Sequence, residues 1–214
     1  NCGASGIVYR VGTTVITFPY DFGVGSTIVT ATATDVNGLA SSCSFTVVVV
    51  DNQQPAITCP ASPVTAENDL GLCGASVSYS ASATDNCGTV SVTYSINPGS
   101  FFIVGTTPVV ATATDAWGNT SQCTFNVVVQ DTEAPALVCP ENQTRGTQSP
   151  LCGYVADAPE FNPVSCGDNC VIVITSYELT GATTDSGLLP LNGVEFQKGV
   201  TTVEWTAQDL SGNS

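Results

Sequence analysis

Apolar and polar residues alternate along much of this chain, most plainly over residues 123–129, where Cys123, Phe125, Val127 and Val129 face one way and Thr124 and Asn126 the other. A period of two is the signature of a strand with one face buried. Residues 73–80 carry the same signature, and residues 64–67, 90–94 and 108–114 also read as strands. Between these runs lie clusters of turn residues: Asn68-Asp69-Leu70-Gly71, Asn97-Pro98-Gly99 and Asp115-Ala116-Trp117-Gly118-Asn119. The last of these closes a hairpin between residues 108–114 and 123–129. No useful length carries a helical period. The pattern predicts an all-β chain of immunoglobulin-like or fibronectin-III-like β-sandwiches, with roughly seven strands in about 80 residues. A core that small gains from cross-links.

The pattern also repeats. Thr32-Ala33-Thr34-Asp35, Gly38, Cys43, Phe45, the valines 47–49, Asp51 and Pro55 return 80 residues later as Thr112-Ala113-Thr114-Asp115, Gly118, Cys123, Phe125, the valines 127–129, Asp131 and Pro135. A period of that length is one small domain copied in tandem. The expected division is residues 1–51 for the C-terminal part of a first copy, 52–130 for a complete copy, and 131–214 for a third copy lacking its last strand, strung into an extended rod. Asn1-Cys2-Gly3 repeats the Asn86-Cys87-Gly88 found inside the complete copy. Residues 206–213 match the Thr-Ala-Thr-Asp phrase, and the Cys-x-Phe-x-Val-x-Val strand expected after them is absent. The expectation is a window on a longer polypeptide; the alternative is a strand supplied by a neighbouring chain.

Composition narrows the setting. Ten cysteines with no methionine and no histidine in 214 residues fit an oxidising compartment, so the chain is expected to be secreted or at a cell surface. The formal net charge is -15, with Arg10, Arg145 and Lys198 the only basic residues. That balance argues against nucleic acid or an anionic membrane as partner and makes divalent cations the natural counter-ions. No signal peptide and no apolar run of about 18 residues is present, so membrane insertion in this window is not expected. Without histidine neither a Ser-His-Asp nor a Cys-His arrangement exists, and no catalytic residue is assigned.

Taken together, Cys59-Pro60, Leu72-Cys73-Gly74-Ala75, Thr84-Asp85-Asn86-Cys87, Phe102 with Gly105-Thr106-Thr107, Thr112-Ala113-Thr114-Asp115, Gly118-Asn119 and Cys123-Thr124-Phe125 resemble the hyalin repeat, or HYR. The resemblance covers essentially the whole chain. The third copy departs from it, with an extra Cys166 beside Cys170 and an insert through Glu178 to Asn192. The resemblance implies an extracellular immunoglobulin-like module associated with adhesion and not with catalysis. The expected role is a structural or adhesive segment of a surface fibre that contacts neighbouring copies, surface glycans or matrix. The alternative is the stalk of an adhesin or carbohydrate-binding accessory module.

All ten cysteines, Cys2, Cys43, Cys59, Cys73, Cys87, Cys123, Cys139, Cys152, Cys166 and Cys170, are candidates for disulfides. Four cysteines in the complete copy allow three connectivities. Because the first copy holds only Cys2 and Cys43, the favoured set is Cys87 with Cys123 and Cys59 with Cys73. In the third copy Cys139 would pair with Cys152, leaving Cys166 and Cys170 to join each other or reach the absent strand. For Ca2+, Asp51 and Asp131 sit at joints between copies, while Asp85 and Asp115, with their equivalents Asp35, Asp168 and Asp209, sit in turns near one pole. Turn chemistry alone is the competing account, and no EF-hand loop is present. Asn119 and Asn142 begin N-x-S/T sequons and are candidate glycan acceptors, with Asn119 equally suited to its hairpin turn.

Overall fold

The structure is a computed structural model that describes residues 4–157 and 159–214. Cys2 lies outside the described residues. Every regular element among those residues is a β-strand, and none of them forms a helix long and apolar enough to cross a membrane. The chain divides into two compact units. One holds Asn1–Thr58, Ala81–Thr93 and Ala111–Cys123; the other holds Cys59–Ser80, Tyr94–Val110 and Thr124–Ser214. The 80-residue copies are therefore cut by the units, and the second copy contributes to both.

In the first unit four antiparallel strands form a sheet in the order Thr14–Ile16, Ala4–Val11, Gly25–Asp35, Ala40–Val49. Its central pairing sets Val29 opposite Phe45 and Ala31 opposite Cys43. Val29 is fully buried, and Ile16 packs at 4% exposure. The long hairpin turns at Asp35, whose Oδ1 accepts the backbone N–H of Asn37 at 2.9 Å and of Leu39 at 2.8 Å. Gly38 there adopts φ of 85°, a left-handed conformation that glycine takes without a Cβ penalty. Ala56–Thr58 pairs with Ser82–Thr84 in the same unit.

In the second unit Val64–Glu67 runs parallel to the end of Thr120–Gln130, with Val127 opposite Val64. Gly74–Ser76 pairs antiparallel with Phe101–Ile103. The expected alternation holds where this core forms: Phe125, Val127 and Val129 are buried, and Thr124 and Asn126 are exposed. Tyr79 lies edge-on to Tyr94, Phe102 and Phe125, with ring centroids 5.5, 6.2 and 5.0 Å away. Aromatic edge contacts of this kind add to the area they bury.

Residues between Leu137 and Trp205 build their own cluster in that unit. Ile172–Gly181 pairs with both Asp185–Leu188 and Thr201–Asp209. Ala156, Leu179, Leu191 and Trp205 form the centre, with Tyr177 5.5 Å from Trp205. The insert through Glu178 to Asn192 is thereby explained: it supplies a hairpin arm, and it supplies Leu191, which is fully buried.

Of the expected strands, Val64–Glu67 and Val90–Tyr94 form at those residues. The runs at 108–114 and 123–129 lie inside the longer Gly105–Asp115 and Thr120–Gln130. The run at 73–80 does not: only Gly74–Ser76 pairs, because from Val77 the backbone bonds to a loop instead, its N–H donating to Ser100 O and its carbonyl accepting from Gly99.

Candidate functional site at the joints between copies

Two joints carry the same chemistry. At the first, carboxylate oxygens of Asp51 and Asp85 and the sulfur of Cys87 lie within 4.8 Å of one another. At the second, Asp131, Asp168 and Cys170 do the same. Asp51 and Asp131 follow long strands and are buried, at 8% and 6% exposure. Asp85 and Asp168 each open an Asx turn: Asp85 Oδ1 accepts the Cys87 N–H and Asp168 Oδ2 the Cys170 N–H, both at 2.8 Å. This leaves one oxygen of each without a partner. Asp51 Oδ2, Asp85 Oδ2, Asp168 Oδ1 and Asn169 Oδ1 are buried and accept no hydrogen bond. Buried acceptors are ordinarily satisfied, so four orphans gathered at two equivalent places call for a common explanation.

Asp115 is held differently. Its Oδ1 accepts from the N–H of Trp117 and of Asn119, both at 2.8 Å, and its Oδ2 from Asn119 Nδ2 at 2.8 Å. It closes the hairpin and stands outside the Asp51–Asp85–Cys87 cluster. Burial alone would raise its pKa, but the Asn119 side chain and the N–H groups of Trp117, Asn119 and Gly118 outweigh burial and hold it below the usual carboxylate range. Asp209 repeats this arrangement with Asn213, and its pKa is lowered by the same competition. Each turn then reaches across to its joint. Asn119 Nδ2 donates to the Asp51 carbonyl at 3.3 Å, and Asn213 Nδ2 to the Asp131 carbonyl at 3.1 Å. With its amide nitrogen doubly engaged, Asn119 serves the fold, whereas Asn142 is exposed.

The cysteines depart from the expected pairing. Cys73 bonds to Cys170, with Cα atoms 4.7 Å apart and a sequence separation of 97, so the Cys59–Cys73 and Cys166–Cys170 pairs do not form. Cys87, Cys139, Cys152, Cys166 and Cys43 carry free thiols, so neither Cys87–Cys123 nor Cys139–Cys152 forms. Cys59 and Cys123 are each disulfide-bonded. The expectation assumed that bridges are local to about 80 residues; Cys73 instead bonds a cysteine 97 positions further along the chain. The contacts around that bridge show why. Glu133 Oε2 accepts from Asn68 Nδ2 at 2.9 Å and from Gly71 N–H at 2.7 Å, Thr132 N–H donates to Asn68 Oδ1 at 2.9 Å, and Asn169 Nδ2 donates to the Leu72 carbonyl at 3.0 Å. The turn at residues 68–72 is thus seated on the linker and on the Asp168 turn before any sulfur is considered. At the first joint the Cys87 thiol is pushed up in pKa by burial and then by Asp51, Asp85 and Asp115.

A cavity of about 600 Å³ opens in the second unit, lined by Arg145, Tyr154, Phe161, Phe196, Lys198 and Trp205 among others. It borders Thr201–Asp209, the end strand of its sheet. Tyr154 OH donates to Glu160 at 2.6 Å and Arg145 pairs with the same carboxylate at 3.3 Å. The tyrosine hydrogen bond above all keeps the Glu160 pKa low.

Strands throughout, an 80-residue sequence repeat and paired carboxylates that recur at Asp51 with Asp85 and at Asp131 with Asp168 define a tandem-repeat β-module. The chain belongs to the HYR domain family, which matches residues 19–49 and 50–129. It is 40% identical over 205 residues to hyalin of Strongylocentrotus purpuratus, covering 90% of this chain and 16% of that protein. It is 39% identical over 145 residues to hyalin of Lytechinus variegatus, covering 65% of this chain and 27% of that protein. The chain therefore spans well under a third of either relative. Among solved structures, a protocadherin gammaB7 EC3-6 cis-dimer is 16% identical at a TM-score of 0.39, covering 97% of this chain and 63% of that one. The human desmocollin-1 ectodomain is 12% identical at a TM-score of 0.27, covering 93% and 50%.

Proposed function

We propose that this chain is a segment of an extracellular adhesive tether, three HYR copies at residues 1–51, 52–130 and 131–214, whose joints bind Ca2+ and which associates with neighbouring copies. The observation that carries the cation is the set of orphaned buried oxygens. A hard cation prefers oxygen ligands, and it would give Asp51 Oδ2 and Asp85 Oδ2 at one joint, and Asp168 Oδ1 and Asn169 Oδ1 at the other, the partner each lacks. Asp131 joins the second set through a carboxylate whose hydrogen bonds are long, at 3.3 to 3.4 Å. The bridged sulfur of Cys170 is no ligand, so the carboxylates are the feature common to both joints. A net charge of -15 favours the same ion at long range.

Thermal unfolding of the intact chain in Ca2+ and in chelator tests the cation. Melting should rise with Ca2+, by the equivalent of about 2.7 kcal/mol at a hundred times the dissociation constant. Asp51→Asn combined with Asp131→Asn should remove most of that rise. Identical curves with and without Ca2+ would end the cation half of the proposal. Beads coated with the chain test adhesion: they should cluster in Ca2+, and beads that stay dispersed would leave a spacer in place of an adhesive segment.

A further inference from the structure

The bridge between Cys73 and Cys170 joins two motifs that each occur twice in this chain. One is a turn tip: Leu72-Cys73-Gly74 in the second copy and Leu151-Cys152-Gly153 in the third. The other is a socket: Asp85-Asn86-Cys87 and Asp168-Asn169-Cys170. One tip and one socket have found each other. The remaining socket, Cys87, and the remaining tip, Cys152, carry free thiols.

The unpaired halves are built like the paired ones. In both sockets the cysteine N–H donates to the aspartate at 2.8 Å, and in both an asparagine from the following turn reaches the joint aspartate's carbonyl, at 3.3 and 3.1 Å. Both place the sulfur within 4.8 Å of two carboxylates. The Cys87 socket also holds Asp51 Oδ2, an orphaned oxygen on a residue only 8% exposed. Both tips share a backbone bond at the same place in the turn, Asp69 N–H to Gly74 O at 2.7 Å and Gln148 N–H to Gly153 O at 2.9 Å. Both glycines lie against a partner strand so closely that a Cβ would strike its carbonyl oxygen, that of Phe102 at Gly74 and of Phe196 at Gly153. This close packing fixes where each tip cysteine stands.

We infer that Cys87 and Cys152 are the two halves of a recurring cross-joint staple, each bonding a cysteine of an adjoining HYR copy in the same polypeptide: Cys87 a tip cysteine of the copy before it, Cys152 a socket cysteine of the copy after it. Each staple forms one S–S bond and breaks two S–H bonds. The two electrons and two protons pass to the disulfide of a thiol oxidoreductase of the export pathway, which leaves as a dithiol. The inference rests on the reading of the chain as exported tandem HYR copies and on the repetition of the joint, not on Ca2+, so a failed cation test leaves it standing and a failed staple leaves the cation standing.

The test is peptide mapping by mass spectrometry, without reduction, of the full-length polypeptide from its producing cells, cleaved at acidic and aromatic residues because this stretch has only three Lys and Arg. The Cys87 peptide should be found joined to a tip peptide, and the Cys152 peptide to a socket peptide, both from adjoining copies. Either cysteine found as a free thiol, or bonded inside its own copy, overturns the staple. Bonds between separate polypeptides, seen as multimers that reduction dissolves, overturn it in the form stated. In the 214-residue chain alone, alkylation in denaturant without reductant should label Cys87 and Cys152 and leave Cys73 and Cys170 unlabelled. Cys73→Ser should then expose Cys170 to label, and a Cys170 that remains blocked would show that the template for the staple is wrong.

Discussion

Asp115 shows how much one carboxylate can be asked to do. Three donors converge on its two oxygens and hold its pKa low despite burial. A group whose pKa falls on folding adds stability above its unfolded value, and that stability is lost as pH drops through the lowered value. For Asp115 the loss begins near the ordinary carboxylate pKa of about 3.9 and continues below it. Asp115→Asn should therefore lower the melting temperature at neutral pH and flatten the fall seen in acid. Equal slopes for both proteins would remove the turn from the account of acid sensitivity. Sequence placed Asp51, Asp85, Asp115 and Asp131 together as carboxylates at turns and joints. It was blind to which oxygens the turns consume, because that depends on which N–H groups point at each one. Phe125, 2% exposed among Tyr79, Val127 and Val129, was legible from alternation alone. Phe125→Ala should cost about 3–5 kcal/mol in denaturant unfolding, and a cost under about 1 kcal/mol would deny it a place in the core.

At the scale of elements, long strands were readable and three-residue strands were not. Thr120–Gln130 declares itself through several alternations, whereas Ala56–Thr58, Ser82–Thr84 and Phe101–Ile103 are too short to show a period. They exist because a partner strand satisfies them. Gly74 marks such a place. It is buried against the backbone of Phe102, and Phe102 is itself only 3% exposed. Gly74→Ala should force the Phe101–Ile103 pairing apart at a cost of about 1–3 kcal/mol. Because Cys73 is the preceding residue, the same variant should slow formation of the Cys73–Cys170 bond during oxidative refolding. Wild-type stability and wild-type rate together would mean that the close approach is not maintained in solution.

Across the whole molecule the 80-residue repeat was plain in sequence, and so was the kind of chemistry at its joints. What sequence could not reveal was that a bridge spans more than one 80-residue period, from Cys73 to Cys170. Counting cysteines within a copy treats each bead as self-contained, while the seating of residues 68–72 on Glu133, Thr132 and Asn169 involves residues from 60 to about 100 positions away. Cys170→Ser should lower the stability of this unit by about 2–4 kcal/mol. Wild type treated with reductant should melt at or below the variant, since it also loses the disulfide bonding of Cys59 and Cys123. A variant as stable as the oxidised wild type would reduce the bridge to an ornament.

The same bridge has a mechanical meaning. Load applied along the backbone on either side of residues 73 and 170 is carried through sulfur, so the stretch between them, 97 positions from end to end, is shielded from force. At about 3.3–3.6 Å per extended residue, roughly 320–350 Å of chain is withheld from stretching until the bond is reduced. A tether stapled at each joint would be a stiff cable in oxidising surroundings and a long, yielding one wherever thiols can cut it.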